Sequence, residues 1–221
     1  TQIELENTRL KEEELVHGAQ IYAGHLGDKH FVELANDRRQ HKISRELFTF
    51  QYTIEAIRSI FPSNAADIEQ DFLAMILFDA VVGNNDRHFY NWGVVKHIAD
   101  TTPPRFAPIY DSARGLFWNR NEDKVCSYLK DEEKLVKYIE QSLPRTGWEK
   151  ANQVNHFQLI EKIVNNNKRY KDICESILKK ETYLHIERLI NEEFVDLMSE
   201  NRLKVIKKCL NLRINNLLRL F

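Results

Sequence analysis

Three oxygen-bearing side chains stand at a spacing that suits phosphoryl transfer. They are Asp86, Asn91 five residues later, and Asp111 at the end of Ala107-Pro108-Ile109-Tyr110-Asp111. A carboxylate at the head of a loop can take the proton of an attacking hydroxyl, provided it faces substrate rather than being paired in the core. Asp86 is the candidate base. The amide oxygen of Asn91 and the carboxylate of Asp111 are hard donors of the kind magnesium takes, with phosphate oxygens completing the shell. A base and a magnesium site together are what ATP-dependent phosphoryl transfer requires. The spacing alone is a short pattern of common residues, and Asn85, Asp86 and Asn91 would serve equally well as turn formers, because Asx side chains cap and bend chains.

The elements around the loop narrow that choice. Between Ser44 and Pro62, Leu47, Phe50, Ile54, Ile57 and Phe61 fall at helical spacing, which predicts one amphipathic helix ended by Pro62. A second helix is expected from cap candidates Ser63 and Asn64 through Ile68, Phe72, Leu73, Met75, Ile76, Leu77, Phe78, Val81 and Val82. From Phe72 onward it is apolar nearly all round, the pattern of a central buried helix. Gly83-Asn84-Asn85 tolerates left-handed backbone and stops it. Asp79 lies within this apolar run, so it should contact a polar group near the loop, such as Arg87, His88 or backbone amides, since a lone buried carboxylate costs several kcal/mol. After the loop, Trp92 to Val95 and Arg105 to Tyr110 read as two short strands joined by Thr101-Thr102-Pro103-Pro104, a hairpin that returns Asp111 beside Asn91. Helical spacing resumes near Asp131, with Leu135, Tyr138 and Ile139, then Phe157, Ile160 and Val164, then Ile186, Ile190, Phe194 and Leu197. The last helix carries Leu203, Ile206, Leu210, Ile214, Leu217 and Phe221. The expected fold is mainly α with a small β-hairpin at the active face.

Composition excludes some roles. The 221 residues are 43% apolar, enough for a sizeable core, and 32 basic against 33 acidic residues leave a formal charge of −1. That balance gives no global pull toward nucleic acid or anionic membrane, so neither partner is expected. No apolar run is long enough for a membrane span and no signal-peptide pattern occurs. Cys126, Cys174 and Cys209 are few, odd in number and widely spaced, which fits a reduced cytoplasmic setting. The chain starts at Thr1 rather than Met, which suggests that an N-terminal portion has been removed.

The longer string Ile76-Leu77-Phe78-Asp79, then Gly83-Asn84-Asn85-Asp86-Arg87-His88, then Asn91, then Ala107-Pro108-Ile109-Tyr110-Asp111 resembles the C-terminal half of the HipA-like toxin kinases. These are bacterial serine/threonine protein kinases of toxin–antitoxin modules, two-lobed, with a helical C-lobe. The Asp-Arg-His-x-x-Asn order is also similar to that of lipid and other atypical kinases, in which Arg-His follows the base. The resemblance implies a kinase-like helical C-lobe using ATP and Mg2+ on a protein substrate. It assigns Asp86 as base, Asn91 as a magnesium ligand and Asp111 as the metal ligand corresponding to the Asp of the kinase Asp-Phe-Gly motif. Here that motif reads Asp111-Ser112-Ala113, so familiar activation-loop switching is not implied. Arg87 is left between phosphate contact and loop support, and for His88 loop support through a backbone hydrogen bond is favoured. The layout becomes lead-in helices over 1–66, a catalytic helix, loop and metal-binding hairpin over 67–111, and a helical subdomain over 112–221.

Such a kinase also needs an N-lobe with a phosphate-covering loop and a strand lysine. Nothing before Asp67 supplies them: Gly18, Gly24 and Gly27 are loosely spaced, and Lys29 sits in no strand-like run. The N-lobe is therefore expected elsewhere, in a longer chain or in a partner, with an antitoxin as a further candidate partner. A pseudokinase or interaction module and a metal-dependent phosphoesterase are the rival functions. His17, His25 and His30 lack the accompanying Cys or carboxylate pattern of a zinc site. Six basic residues of the last helix, Arg202, Lys204, Lys207, Lys208, Arg213 and Arg219, read as a solvated face.

Overall fold

The computed structural model describes residues 12–36, 46–151 and 153–221. In chain order these form β1 (Glu13–His17), α1 (Gly18–Leu26), α2 (Phe31–Asn36), α3 (Phe50–Ile60), α4 (Ala65–Val82), β2 (Gly93–His97), β3 (Arg105–Phe106), α5 (Glu122–Lys130), α6 (Glu132–Glu140), α7 (His156–Asn166), α8 (Lys168–Ile177), α9 (Thr182–Glu193), a 3-10 turn (Val195–Leu197) and α10 (Glu200–Leu218). Two compact units result. The first comprises Thr1–Phe72, Arg87–Asp111 and Arg145–Glu149, and the second Leu73–Asp86, Ser112–Pro144 and Lys150–Phe221. Among the described residues no helix is long and apolar enough to cross a membrane.

The first unit contains the sheet, in the order β1-β2-β3, antiparallel throughout. The anticipated hairpin forms, with Val94 opposite Phe106 and Val95 opposite Arg105. Its second strand is shorter than the sequence suggests and stops at Phe106, just before Pro108, which has no N–H to give a ladder. The lead-in holds a strand as well as helices: β1 pairs along the whole of β2, Val16 opposite Val94. Glu-Glu-Leu-Val-His shows no alternation of apolar and polar residues, so its strand character comes from its partner rather than from its own pattern. Its charges suit an edge, where Glu13 pairs with Arg105 and Glu14 with Lys96.

α3 begins at Phe50, where the Thr49 hydroxyl accepts from the Tyr52 amide, and it buries the expected Phe50, Ile54 and Ile57. The start proposed for this helix at Ser44 lies outside the described residues. Glu69, buried on α4, takes a two-point contact from Arg58, at 2.6 and 2.9 Å, which is how a carboxylate is accommodated on an apolar helix.

In the second unit α4 continues as the buried helix that its sequence predicts, with Leu73, Met75, Ile76, Leu77 and Ala80 inside. Phe78 departs from the all-round pattern and is 37% exposed. α10 buries Leu203, Ile206, Leu210, Ile214 and Leu217. Its basic residues are not uniformly solvated. Arg213 is buried, and Arg202 donates to the Phe117 and Arg120 carbonyls and to Glu122. Of the stripe expected through α9, Ile190 is buried, whereas Phe194 and Leu197 lie at the surface.

Candidate active site

The site's geometry begins at the end of α4, in the second unit. Gly83 has φ +67°, the left-handed residue that terminates the helix, and the Asn84 amide then donates 3.0 Å back to the Asp79 carbonyl. This is the six-to-one bond of a Schellman stop. Glycine is demanded twice, by the backbone sign and by the Arg213 guanidinium carbon, which would lie 3.1 Å from a Cβ. Arg213 Nε donates to the Ala80 carbonyl at 2.7 Å and Nη1 to the Ile139 carbonyl at 3.2 Å, while the guanidinium sits 5.1 Å from the Phe157 ring. The Leu116 amide caps the Val82 carbonyl at 2.8 Å. Carbonyls at the helix end that would otherwise lack donors are thereby bound.

Asn84 is fully buried and joins two carboxylate residues. Its Nδ2 donates to Asp79 Oδ1 at 2.9 Å, and its Oδ1 accepts from the Asp86 amide at 3.2 Å. Asp79 is buried and hydrogen-bonded near the loop, as the cost of burying it demands. Asn84 was not among the partners anticipated for it. Asp86 itself is only 16% exposed, and Arg114 Nε lies 3.1 Å from its Oδ2. The proviso attached to a base applies here: Asp86 has a cationic partner, though a half-exposed one, at 47%.

The continuing loop, Arg87 to Trp92, belongs to the first unit. Arg87 is buried, and a single nitrogen, Nη1, donates 2.6 Å to the Asn91 carbonyl and 2.6 Å to the Tyr110 carbonyl. The two carbonyl oxygens are therefore about 5 Å apart at most, which ties Asn91 to the residue preceding Asp111. Through these two bonds Arg87 joins the Asn91 and Tyr110 carbonyls. His88 Nδ1 accepts from the Tyr90 amide at 3.2 Å. Phe89 and Trp92 anchor the loop from inside. Phe89 packs 4.8 Å from Tyr22, 5.3 Å from Phe31 and 4.6 Å from Phe48 between ring centres, and Trp92 packs 5.0 Å from Phe72 and 6.2 Å from Phe106. The leading amides of α1 complete the cradle: Gly18 donates to the Trp92 carbonyl at 3.1 Å and Ala19 to the Phe89 carbonyl at 3.2 Å. A Cβ at Gly18 would collide with the Trp92 indole.

Asn91 is buried, and Asp111 is exposed with φ +49°, a left-handed conformation that Asp tolerates better than most residues. Both side chains carry hard oxygen donors of the type magnesium takes, and magnesium is commonly bound by one or two carboxylates plus phosphates and water; among the described residues no group of three or more His, Cys, Asp or Glu is placed to hold a metal. Tyr110 Oη lies 3.0 Å from His17 Nδ1, and burial pushes the Tyr110 phenol up to about 12, so the hydroxyl keeps its proton at neutral pH. His25 packs against Tyr52 and His30 stands near Glu33, so the three N-terminal histidines have separate surroundings.

Sequence reasoning placed Asn91 and Asp111 on one supported structure, and both lie in the first unit, while Asp86 lies in the second at the adjoining chain position. It missed Asn84, Arg114, Arg213 and the aromatic anchors. Asn84 and Phe89 were visible as a polar residue at a helix stop and an aromatic within the string. Arg114 and Arg213 carried no local signal, because their partners lie far away in sequence. A cleft of about 780 Å3 in the first unit, lined by Ile60, Phe61, Pro62, Thr102, Pro103 and Pro104 among others, includes none of the candidate site residues.

No family model matches the sequence, and no curated protein matches it. The backbone does match solved structures. One is the crystal structure of a Helicobacter pylori proinflammatory kinase, CtkA, with a TM-score of 0.72 at 20% identity over 95% of this chain and 67% of that one. At that identity the likeness concerns fold. The chain has a kinase-like, mainly helical fold with a small antiparallel sheet.

Proposed function

We propose that this chain carries the catalytic loop and metal-binding strand of a HipA-like protein kinase, which transfers the γ-phosphoryl group of ATP to a serine or threonine hydroxyl of a protein. The observation that carries the proposal is the Arg87 brace, which holds the Asn91 carbonyl and the Tyr110 carbonyl on one nitrogen. A turn former needs no buried guanidinium beneath it, whereas a pair of metal ligands drawn from two chain segments needs its spacing fixed. The kinase-like fold supports the same reading.

In this reaction the substrate hydroxyl oxygen forms the new bond to the γ-phosphorus. The bond from that phosphorus to the β,γ-bridging oxygen breaks, its electron pair leaves with ADP, and the hydroxyl proton passes to the Asp86 carboxylate. Magnesium, when bound, offsets phosphate charge. Asn91 and Asp111 would hold it through their side-chain oxygens, while Asn84 keeps the Asp86 backbone in place and His88 and Arg87 stiffen the loop. ATP and Mg2+ as cofactors, a cytoplasmic location, an antitoxin partner and a nucleotide-covering N-lobe supplied by a longer chain or a partner belong to the same proposal.

The test is Mg2+-dependent transfer of radiolabelled γ-phosphate by the full-length protein, beside Asp86→Ala and Asp111→Ala. Loss of the general base is expected to lower kcat on the order of 10²–10⁴-fold, and Asp111→Ala is expected to raise the magnesium concentration needed for half-maximal rate. Absence of ATP binding by the wild type would favour an interaction module. Phosphate release from esters without ATP would favour a phosphoesterase.

A further inference from the structure

The geometry points to Arg114 as a catalytic residue that contacts the transferring phosphoryl group, a role that rests on the kinase reading above. Arg114 stands three residues beyond Asp111, yet it attaches to the Asp86 loop twice. Its carbonyl accepts from the Asn85 amide at 3.4 Å, and its Nε lies 3.1 Å from Asp86 Oδ2. The ion pair is surplus to holding this segment, which the Leu116 amide already ties to the Val82 carbonyl, and a pair whose arginine is half-exposed contributes modestly to stability. What the pair does accomplish is orientation. With Nε turned to the carboxylate, the N–H donors of the guanidinium's other edge belong to the far end of a side chain that is 47% exposed. Trp118 supports that end, its ring centre 5.1 Å from the guanidinium carbon, and is itself 50% exposed.

A guanidinium fixed on one edge beside the base and open on the other is suited to an anion that must lie next to that base. In phosphoryl transfer the anion is the γ-phosphoryl group, whose oxygens take up to two parallel N–H bonds from an arginine fork. The Arg114 contact follows the phosphoryl oxygens as the bond to the β,γ-bridging oxygen breaks, while the proton moves to Asp86 as already described. Arg114 neither gains nor loses a proton in the step.

Calorimetric titration of the full-length protein with MgATP and with MgADP, paired with single-turnover transfer, tests this. Arg114→Ala is expected to weaken ATP about tenfold while leaving ADP affinity unchanged, because only ATP carries the γ-phosphoryl, and to slow transfer on the order of 10²-fold or more. Arg114→Lys should restore part of the ATP affinity but less of the rate, since a point charge replaces the fork. If Arg114→Ala unfolds, Arg114→Gln carries the same comparison. Equal weakening of both nucleotides, or no change in either, overturns the assignment. A faster Arg114→Ala enzyme also overturns it and makes the pair a lock on the base. A wild type that binds neither nucleotide overturns the kinase reading itself, an outcome read before any variant is compared.

Discussion

Asn84 links two carboxylate residues of the second unit, one buried and one partly buried, and its chemistry makes the linkage testable. One end donates to Asp79 and the other accepts from the Asp86 amide, so only an amide of this length serves both. Asn84→Ala removes a donor from a buried carboxylate and an acceptor from the loop backbone, and is expected to cost about 1–3 kcal/mol in urea unfolding. Asn84→Asp keeps the acceptor but sets a second carboxylate against Asp79, and should be the worse of the two at neutral pH. An aspartate as stable as wild type would show that the donated bond to Asp79 matters little. Asp86, Asn91 and Asp111 were singled out from the sequence by residue type, by the five-residue step from Asp86 to Asn91 and by the hairpin that returns the chain to Asp111. Arg114 was not legible, since an arginine among surface residues acquires meaning only from the carboxylate it meets.

At the scale of elements, the join between α4 and the loop is fixed by backbone sign. Alanine at position 83 would have to adopt φ near +67° and place a methyl group against the Arg213 guanidinium and the Ser142 hydroxyl. Left-handed backbone costs a non-glycine residue about 1–2 kcal/mol, and the crowding adds to it. Gly83→Ala is therefore expected to lower the urea midpoint at unchanged slope, and a cost below about 0.5 kcal/mol would mean that Arg213 can move aside. The helices α3, α4 and α10 were readable from the spacing of apolar residues, which depends on one segment at a time. β1 was not, because its five residues lack alternation and become a strand only by pairing with β2 eighty residues on. Arg213 was misread for a related reason: a basic residue on a helix with five other cations resembles a solvated one until the α4 carbonyl it serves is known.

Over the molecule as a whole, proton linkage offers a measure of how the second unit is held. His156 is fully buried, and burial together with the Arg213 cation holds its imidazole well below the usual 6.5. It is neutral in the folded protein, whereas in the unfolded chain it takes up a proton near 6.5. The unfolded state therefore binds more protons as pH falls below that value, and stability drops with acidification by at most about 1.4 kcal/mol per pH unit from this residue, while remaining intact above it. Urea midpoints between pH 7 and 5.5 should fall less steeply for His156→Gln than for wild type, and parallel slopes would mean that the imidazole is charged in the fold. The cradle beneath Phe89 and Trp92 carries a different message, about portability. The string from Arg87 to Trp92 keeps its shape because a helix begins at Gly18 under an indole and because Tyr22, Phe31 and Phe48 enclose a phenyl ring. Grafted into another scaffold, the same six letters would arrive without their seat. A chain bearing them is a good host only where a glycine-led helix and three aromatic neighbours, some forty to seventy residues upstream, travel with them.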